Sequence, residues 1–561
     1  MKCLLSFLAL VLTFALHGEM PFYMLRLRAV ETDDVATWEE TRQAISDNPG
    51  CCDEVWFSTG IGYPTLAAHR ERAAKQAKAA ADCRAMGIAP GLQRQATLGH
   101  FDGSTGQEDA AARDWTGWTG SQGVVDRCCS CPRDPKFIAY FEEVGRIYAS
   151  YRPTSVWIDD DLRIDNHNPA SIGSLNGCWC DRCVGDFAER EEKSYTRETL
   201  AASAKVDTSL YRRWERFQFE SLATLAGRIA KAIVVVSPET RMGYQHCMRA
   251  DGLQTLVYEA MAEASGHAVR SRPGGGAYYD HDPRNQLAKA YVMMRQRATL
   301  AGTKVIEQFC PEIETYPRKF ACRTPRGVLL EALENLALGM DSLSLLITDT
   351  RYERMAWYGR TFFRTLSKNR ACLKGYADKS IGTEPAGLYV DASGLAGDVP
   401  GEDWMAACSG VRWEETCSGI PLINGPGRRL GDYAEFVRSN GGKLDVSVAS
   451  TEEIIGRSRL ADQVAGGKLP VILMDPMVAF VMPRLTSEGE LRTIVVINAT
   501  IGRTEPTRLR LRSIPVWAKR GMWWALDATA MELPLMRDGN DTIVVLPSID
   551  GWSGGWLGFE R

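Results

Sequence analysis

The stretch SVWIDDDLR, residues 155–163, passes from a short apolar run into three consecutive aspartates. Ser155, Val156, Trp157 and Ile158 form a short strand, and Asp159, Asp160 and Asp161 stand at its C-terminal end. Working outward in both directions, strands alternate with helical stretches. Strand candidates fall at 23–29, 54–58, 88–93, 155–159, 241–246, 268–272, 304–309 and 342–347. Helical patterns fill most of the gaps, as at 67–86 (rich in Ala, Lys and Arg), 137–151, 210–235 and 327–339. Eight strands with helices between them, over residues 21–376, predict an α/β chain with a (β/α)8 TIM barrel. Such a barrel builds its site from the connections at the C-terminal strand ends. The longest here follow the third, fourth and seventh strands.

Two of those strand ends carry carboxylates. Three consecutive aspartates repel one another, and the crowding raises the pKa of at least one. A raised carboxyl pKa suits a general acid that protonates a leaving oxygen. A solvated acidic loop or a helix cap gives the same residue run. Trp157 and Ile158 before it, with Arg163 and His167 after it, weigh against that alternative. The second place is KVIEQFCPEIETYP, residues 304–317, at the seventh strand and its exit. Glu312 and Glu314 are two apart and share a face in an extended segment. Glu307 has the opposite parity from Glu312 unless Pro311 interrupts the strand. Ends of strands four and seven are neighbours across a barrel mouth, and carboxyls about 5–5.5 Å apart suit retaining glycoside hydrolysis.

Composition narrows the partners. The 561 residues carry 66 basic and 70 acidic side chains, a formal net charge of -4, and no long basic run. Nucleic acid and anionic membrane surfaces are therefore excluded as expected partners. Residues 1–20 read as a signal peptide: Lys2 precedes an almost purely apolar run from Leu4 to Leu16, too short to span a bilayer. No later apolar run reaches spanning length, so a secreted or periplasmic protein is expected. Sixteen cysteines in an exported chain suggest disulfides. The run GCWCDRC, residues 177–183, argues otherwise: Cys178, Cys180 and Cys183 can converge on one tetrahedral ion, with Cys131 as a fourth ligand. A local disulfide from Cys128 or Cys129 to the later run is the competing reading. After Gly375 the texture changes to a small α/β domain over 377–482 and an alternating, strand-rich β-sandwich over 483–561.

These residues carry a resemblance. The segment CPRDPKFIAYFEEVGRIYASYRPTSVWIDDDLR, residues 131–163, followed by GCWCDRCVGDF, residues 177–187, resembles the core of family 42 glycoside hydrolases, the β-galactosidase type. Glu314 three residues before Pro317, and the later LALGMDSLSLL, are similar to that family's seventh-strand region. The resemblance implies a structural zinc held by Cys131, Cys178, Cys180 and Cys183, a flavodoxin-like trimerisation domain over 377–482, and a homo-oligomer, as a trimer. The related β-mannosidase family 164 shares the architecture. One departure stands out: the family's fourth strand ends in Asn-Glu, where this chain has Asp160-Asp161, shorter by one methylene.

The function implied is a retaining β-glycoside hydrolase acting on β-galactoside- or β-mannoside-type carbohydrates. Asp160 or Asp161 is the candidate acid/base, and Glu312 or Glu314 the candidate nucleophile, with Glu307 next in line. His100, Arg163, His167 and His246 follow strand ends and are candidate binders of sugar hydroxyls; Tyr278, Tyr279, Tyr316 and Trp357 are candidate stacking platforms. The missing glutamate supports an alternative, a carbohydrate-binding barrel without turnover. A metal-dependent hydrolase built on the aspartates and His167 is a third reading.

Overall fold

The computed structural model describes residues 20–99, 113–164, 174–247, 252–276, 278–280, 283–316, 322–390, 419, 422–424, 461–463 and 465–561. The expected signal segment lies outside these, as do His100 and His167.

Eight parallel strands form the barrel: Tyr23–Arg26, Glu54–Ser58, Ala89–Arg94, Ser155–Ile158, Arg241–Cys247, Val269–Gly274, a divided seventh strand, and Leu343–Leu346. The seventh explains how the sheet closes. Its first piece, Ile306–Phe309, pairs with Val269–Gly274, and its second, Glu312–Glu314, pairs with Leu343–Leu346. The break falls at Cys310–Pro311, where proline has no N–H for the ladder. Even the weak sixth-strand pattern near 268–272 is a strand, two residues longer at its far end.

Inward-facing residues follow the two-residue period of each strand. Low in the barrel, Glu54 accepts from Trp56 Nε1 at 2.6 Å, from Arg270 Nη1 at 3.1 Å, and from Ser155. Above it lies an apolar disc of Met24, Trp56, Trp157 and Cys310, with the two indoles stacked at 4.2 Å. Gly243 makes that stack fit, because a Cβ there would sit 2.3 Å from the Trp157 ring. Helices clothe the outside. Helix Pro135–Ala149 starts where Asp134 accepts from the Lys136 and Phe137 N–H groups, and it packs on the 29-residue helix Thr208–Val236.

The C-terminal part is a sandwich of a six-stranded and a four-stranded sheet. The expected boundary at 482/483 needs correcting. Strand Ala479–Thr486 runs across it and pairs with Leu491–Asn498, Thr383–Pro385 pairs with that same strand, and Val471–Leu473 joins the second sheet. Their apolar alternation belongs to a sheet face that is completed by strands on both sides of the α/β segment. Of that segment, Leu388–Val390 and Leu422–Asn424 are described and pair in parallel; residues 391–418 and 425–460 lie outside the described set. Among the described residues, no helix is long and apolar enough to cross a membrane.

Candidate active site

At the C-terminal rim, above the apolar disc, the inward positions are polar or charged. Arg26 follows Met24 on the first strand, Gln93 lies on the third, Asp159 follows Trp157 on the fourth, Gln245 follows Gly243, Arg272 follows Arg270, and Glu312 follows Cys310. Arg272 is the hub. Its Nη1 donates to Glu312 Oε1 at 2.9 Å, and its Nη2 lies 3.7 Å from Asp160 Oδ2 and 3.9 Å from Asp159 Oδ1. The other Glu312 oxygen accepts from Gly275 N at 3.0 Å and from the Tyr278 hydroxyl at 3.4 Å. The glycine run 274–276 allows this approach: a Cβ on Gly274 would meet Arg272 Nη1 at 2.3 Å and Glu312 Oε2 at 3.0 Å.

The carboxylates fall into two classes. Burial raises the Glu312 pKa, but Arg272 and then Lys289 more than offset it, so the net value lies below the ordinary range. Asp159 goes the other way. Burial and the adjacent Asp160 push it up to about 7, against the pull of Arg26 and Arg272. Gln93 donates to Asp159 Oδ2 at 3.1 Å and accepts from Arg26 Nε at 3.2 Å, while Arg26 Nη1 stands 3.8 Å from Glu314. Two arginines and four carboxylates thus interlock at the rim, one carboxyl poised to be ionised and another to hold a proton near neutral pH.

The candidates named from sequence divide accordingly. Asp160, Glu312 and Glu314 come together at the mouth. Asp161 turns away: it is 2% exposed, and its Oδ2 accepts the Gly99 N–H at 2.8 Å, beneath the loop after strand three. As the third aspartate it sits past the end of the strand, where the chain has already begun to turn. His246 is also displaced. It occupies an outward position on strand five, bonds through Nδ1 to the Tyr258 hydroxyl on helix Thr255–Ser265 at 2.7 Å, and is driven to a pKa of about 3 by burial and then Arg272. Its parity with Tyr244, not its place at a strand end, decides that direction. Glu307 lies at the opposite end of the barrel, 3.5 Å from Arg270, so it is no reserve nucleophile. Arg163 is buried on the exit of strand four and acts electrostatically on Cys247 at the mouth. Tyr316 is half exposed and meets Tyr278 edge-on at 6.2 Å, whereas Trp357 packs against Tyr358 and Phe362.

Arg26, Gln93, Gln245 and Arg272 were not anticipated. The signal for the arginines was present in RLR at 26–28 and RSR at 270–272, where charged side chains recur with strand period in strands that helices cover.

Beside the mouth, Cys131, Cys178, Cys180 and Cys183 are all buried, with sulfurs within 4.8 Å of one another. Sγ of Cys131 is 3.5 Å from that of Cys183 and 3.6 Å from that of Cys180. Those spacings exceed a disulfide bond of about 2.05 Å. They approach the roughly 3.8 Å edge of a tetrahedron with metal–sulfur bonds of about 2.3 Å. None of the described cysteines forms a disulfide. Hydrogen bonds from Cys131, Cys178 and Cys183 hold the Cys180 thiol far below its usual range. The donor set fits a closed, four-thiolate cation site that pins the strand-three and strand-four connections together.

Among solved structures, the chain resembles a β-galactosidase from Bacillus circulans sp. alkalophilus, at 10% identity and TM-score 0.57, over 96% of this chain and 99% of that one. A catalytic mutant of a family 42 β-galactosidase from G. stearothermophilus matches at 10% identity and TM-score 0.58, over 96% and 98%. The cold-adapted β-galactosidase from Rahnella sp. R3 matches at 12% and 0.56, over 93% and 98%. The chain shares the fold of these β-galactosidases. The likeness extends along nearly the whole length of those chains. No protein-family model and no curated protein matches the sequence.

Proposed function

We propose that the chain is a retaining β-glycoside hydrolase acting on β-galactoside- or β-mannoside-type sugars. The observation that carries this reading is the shared contact of Glu312 and Asp160, from strands seven and four, with the single guanidinium of Arg272. Glu312, ionised and held by three donors, attacks the anomeric carbon. Asp160, the more exposed of the two aspartates at Arg272 with 24% of its side chain accessible, protonates the departing oxygen, and Asp159 shares the proton it uses. Water then attacks the glycosyl-enzyme with the aspartate as base, and the sugar leaves with retained configuration. The family fold of the structural neighbours, β-galactosidases by name, supports the same substrate class.

The test is a panel of aryl β-galactoside, β-mannoside, β-glucoside and α-arabinoside substrates. Wild type should turn over at least one. Glu312→Gln should be almost inactive on it, and Asp160→Asn should lose about 10²–10⁴-fold. If Glu314→Gln is the dead variant and Glu312→Gln keeps its rate, the nucleophile is Glu314. A panel without turnover, but with measurable sugar affinity, favours a binding barrel; the burial of Asp161, where the family carries its glutamate, is the observation behind that second reading.

The four cysteines hold a structural zinc in this proposal, with no open position for substrate. Elemental analysis should give about one equivalent of zinc per chain, lost in Cys180→Ser, and less than half an equivalent in wild type overturns it. Export and a trimeric assembly belong to the same reading; N-terminal sequencing of the secreted product and light scattering check them.

A further inference from the structure

We propose that Gln245 is a positioning residue that acts through Arg272: its amide oxygen takes two of the guanidinium's donors and leaves the remaining edge aimed at Glu312. This rests on the reading of Glu312 as the ionised carboxylate of the site. Gln245 Oε1 accepts from Arg272 Nε at 3.0 Å and from Nη2 at 2.8 Å, while Nη1 donates to Glu312 at 2.9 Å. Arginine only donates, so the amide can face it only oxygen-first, and the orientation of Gln245 is fixed by chemistry. Gln245 and Arg272 are both essentially inaccessible to solvent. Register adds a second constraint, since the neighbouring strands five and six place Gln245 directly opposite Arg272.

The consequence is directional. A guanidinium gripped along its Nε–Nη2 side cannot swing to pair bidentately with the strand-four aspartates, which lie 3.7 and 3.9 Å from Nη2, beyond hydrogen-bond length. Its close contact goes to Glu312 alone. Without the amide, among the described contacts only the Nη1–Glu312 pair holds the guanidinium against rotation toward Asp159 and Asp160, where two carboxylates compete for it. Gln93 and Arg26 repeat the motif on the other side of strand four. There the amide oxygen accepts from Arg26 Nε alone, and the amide nitrogen donates onward to Asp159. Among the described residues the buried Gln245 amide nitrogen has no partner, so the described contacts of this side chain are made by its oxygen.

A double-mutant cycle tests the claim. Gln245→Met removes the acceptor at similar volume, Arg272→Lys removes the fork while keeping the charge, and the double variant completes the cycle. We expect Gln245→Met to lower kcat on the preferred aryl glycoside about tenfold with KM little changed, and Arg272→Lys to lower it further. The double variant should be no worse than Arg272→Lys. Multiplicative losses overturn the proposal, because they mean that Gln245 acts independently of Arg272. A readout without turnover accompanies it: ¹³C titration of Glu carboxyls, with the Glu312 resonance identified by its loss in Glu312→Gln. Gln245→Met should move that midpoint up in a protein with wild-type circular dichroism, and should not move it further in the Arg272→Lys background. An unmoved midpoint sinks the inference even if the enzyme is active. A moved midpoint in a chain that hydrolyses no glycoside keeps the positioning role and sinks the hydrolase reading instead.

Discussion

Burial and the Asp160 carboxylate push Asp159 up to about 7, and this single residue ties the site's chemistry to the stability of the fold. In the unfolded chain its pKa returns to about 3.9. The folded protein therefore binds this proton more tightly, and the stabilisation is complete below about pH 4 and lost as pH rises through 7. Asp159→Asn keeps the side chain neutral at every pH. Its advantage over wild type in urea denaturation should grow between pH 5 and pH 8, by up to a few kcal/mol. Parallel stability curves for the two proteins would show that the carboxyl titrates normally. The acidic triplet made a raised pKa legible from sequence. Which of the three aspartates carries it was not, because that depends on which one continues the inward face of strand four.

At the scale of elements, the barrel's strands meet around an aromatic disc that only glycine accommodates. Gly243 faces Trp157 so closely that one added carbon would sit 2.3 Å from the ring. Gly243→Ala should destabilise the protein by about 1–3 kcal/mol through overpacking, read as a lower Tm. Because Gln245 is next on the same inward face, we expect kcat to fall as well. A variant with wild-type Tm would mean that the disc is looser than its 4.2 Å indole stack implies. The divided seventh strand works at the same scale. Pro311 is visible in the sequence, but its effect depends on the sheet: Glu307 lies at one end of the barrel and Glu312 at the other.

Across the whole molecule, the barrel and the sandwich share a core. Trp556, on the last strand, is fully buried, stacks on Trp524 at 5.6 Å, and donates from Nε1 to the carbonyl of Cys372 on helix Arg364–Lys379 at 2.9 Å. Arg484 reaches from the sandwich to the carbonyl of Leu336, on barrel helix Pro325–Ala337, at 3.3 Å. Trp556→Ala should therefore cost about 3–5 kcal/mol and lower the Tm of barrel and sandwich together in calorimetry. A lone early transition for the sandwich would show that the two fold independently. The succession of strands and helices, the rim location of the carboxylates and the four-cysteine cluster are legible along the chain, because periodicity and close spacing are local properties. Only the tertiary structure decided that Arg272, gripped by Gln245, serves Glu312, that His246 faces a helix, and that Asp161 turns toward Gly99. Those outcomes depend on strand register, inward parity and barrel closure, which bring together side chains that the sequence holds tens to hundreds of residues apart.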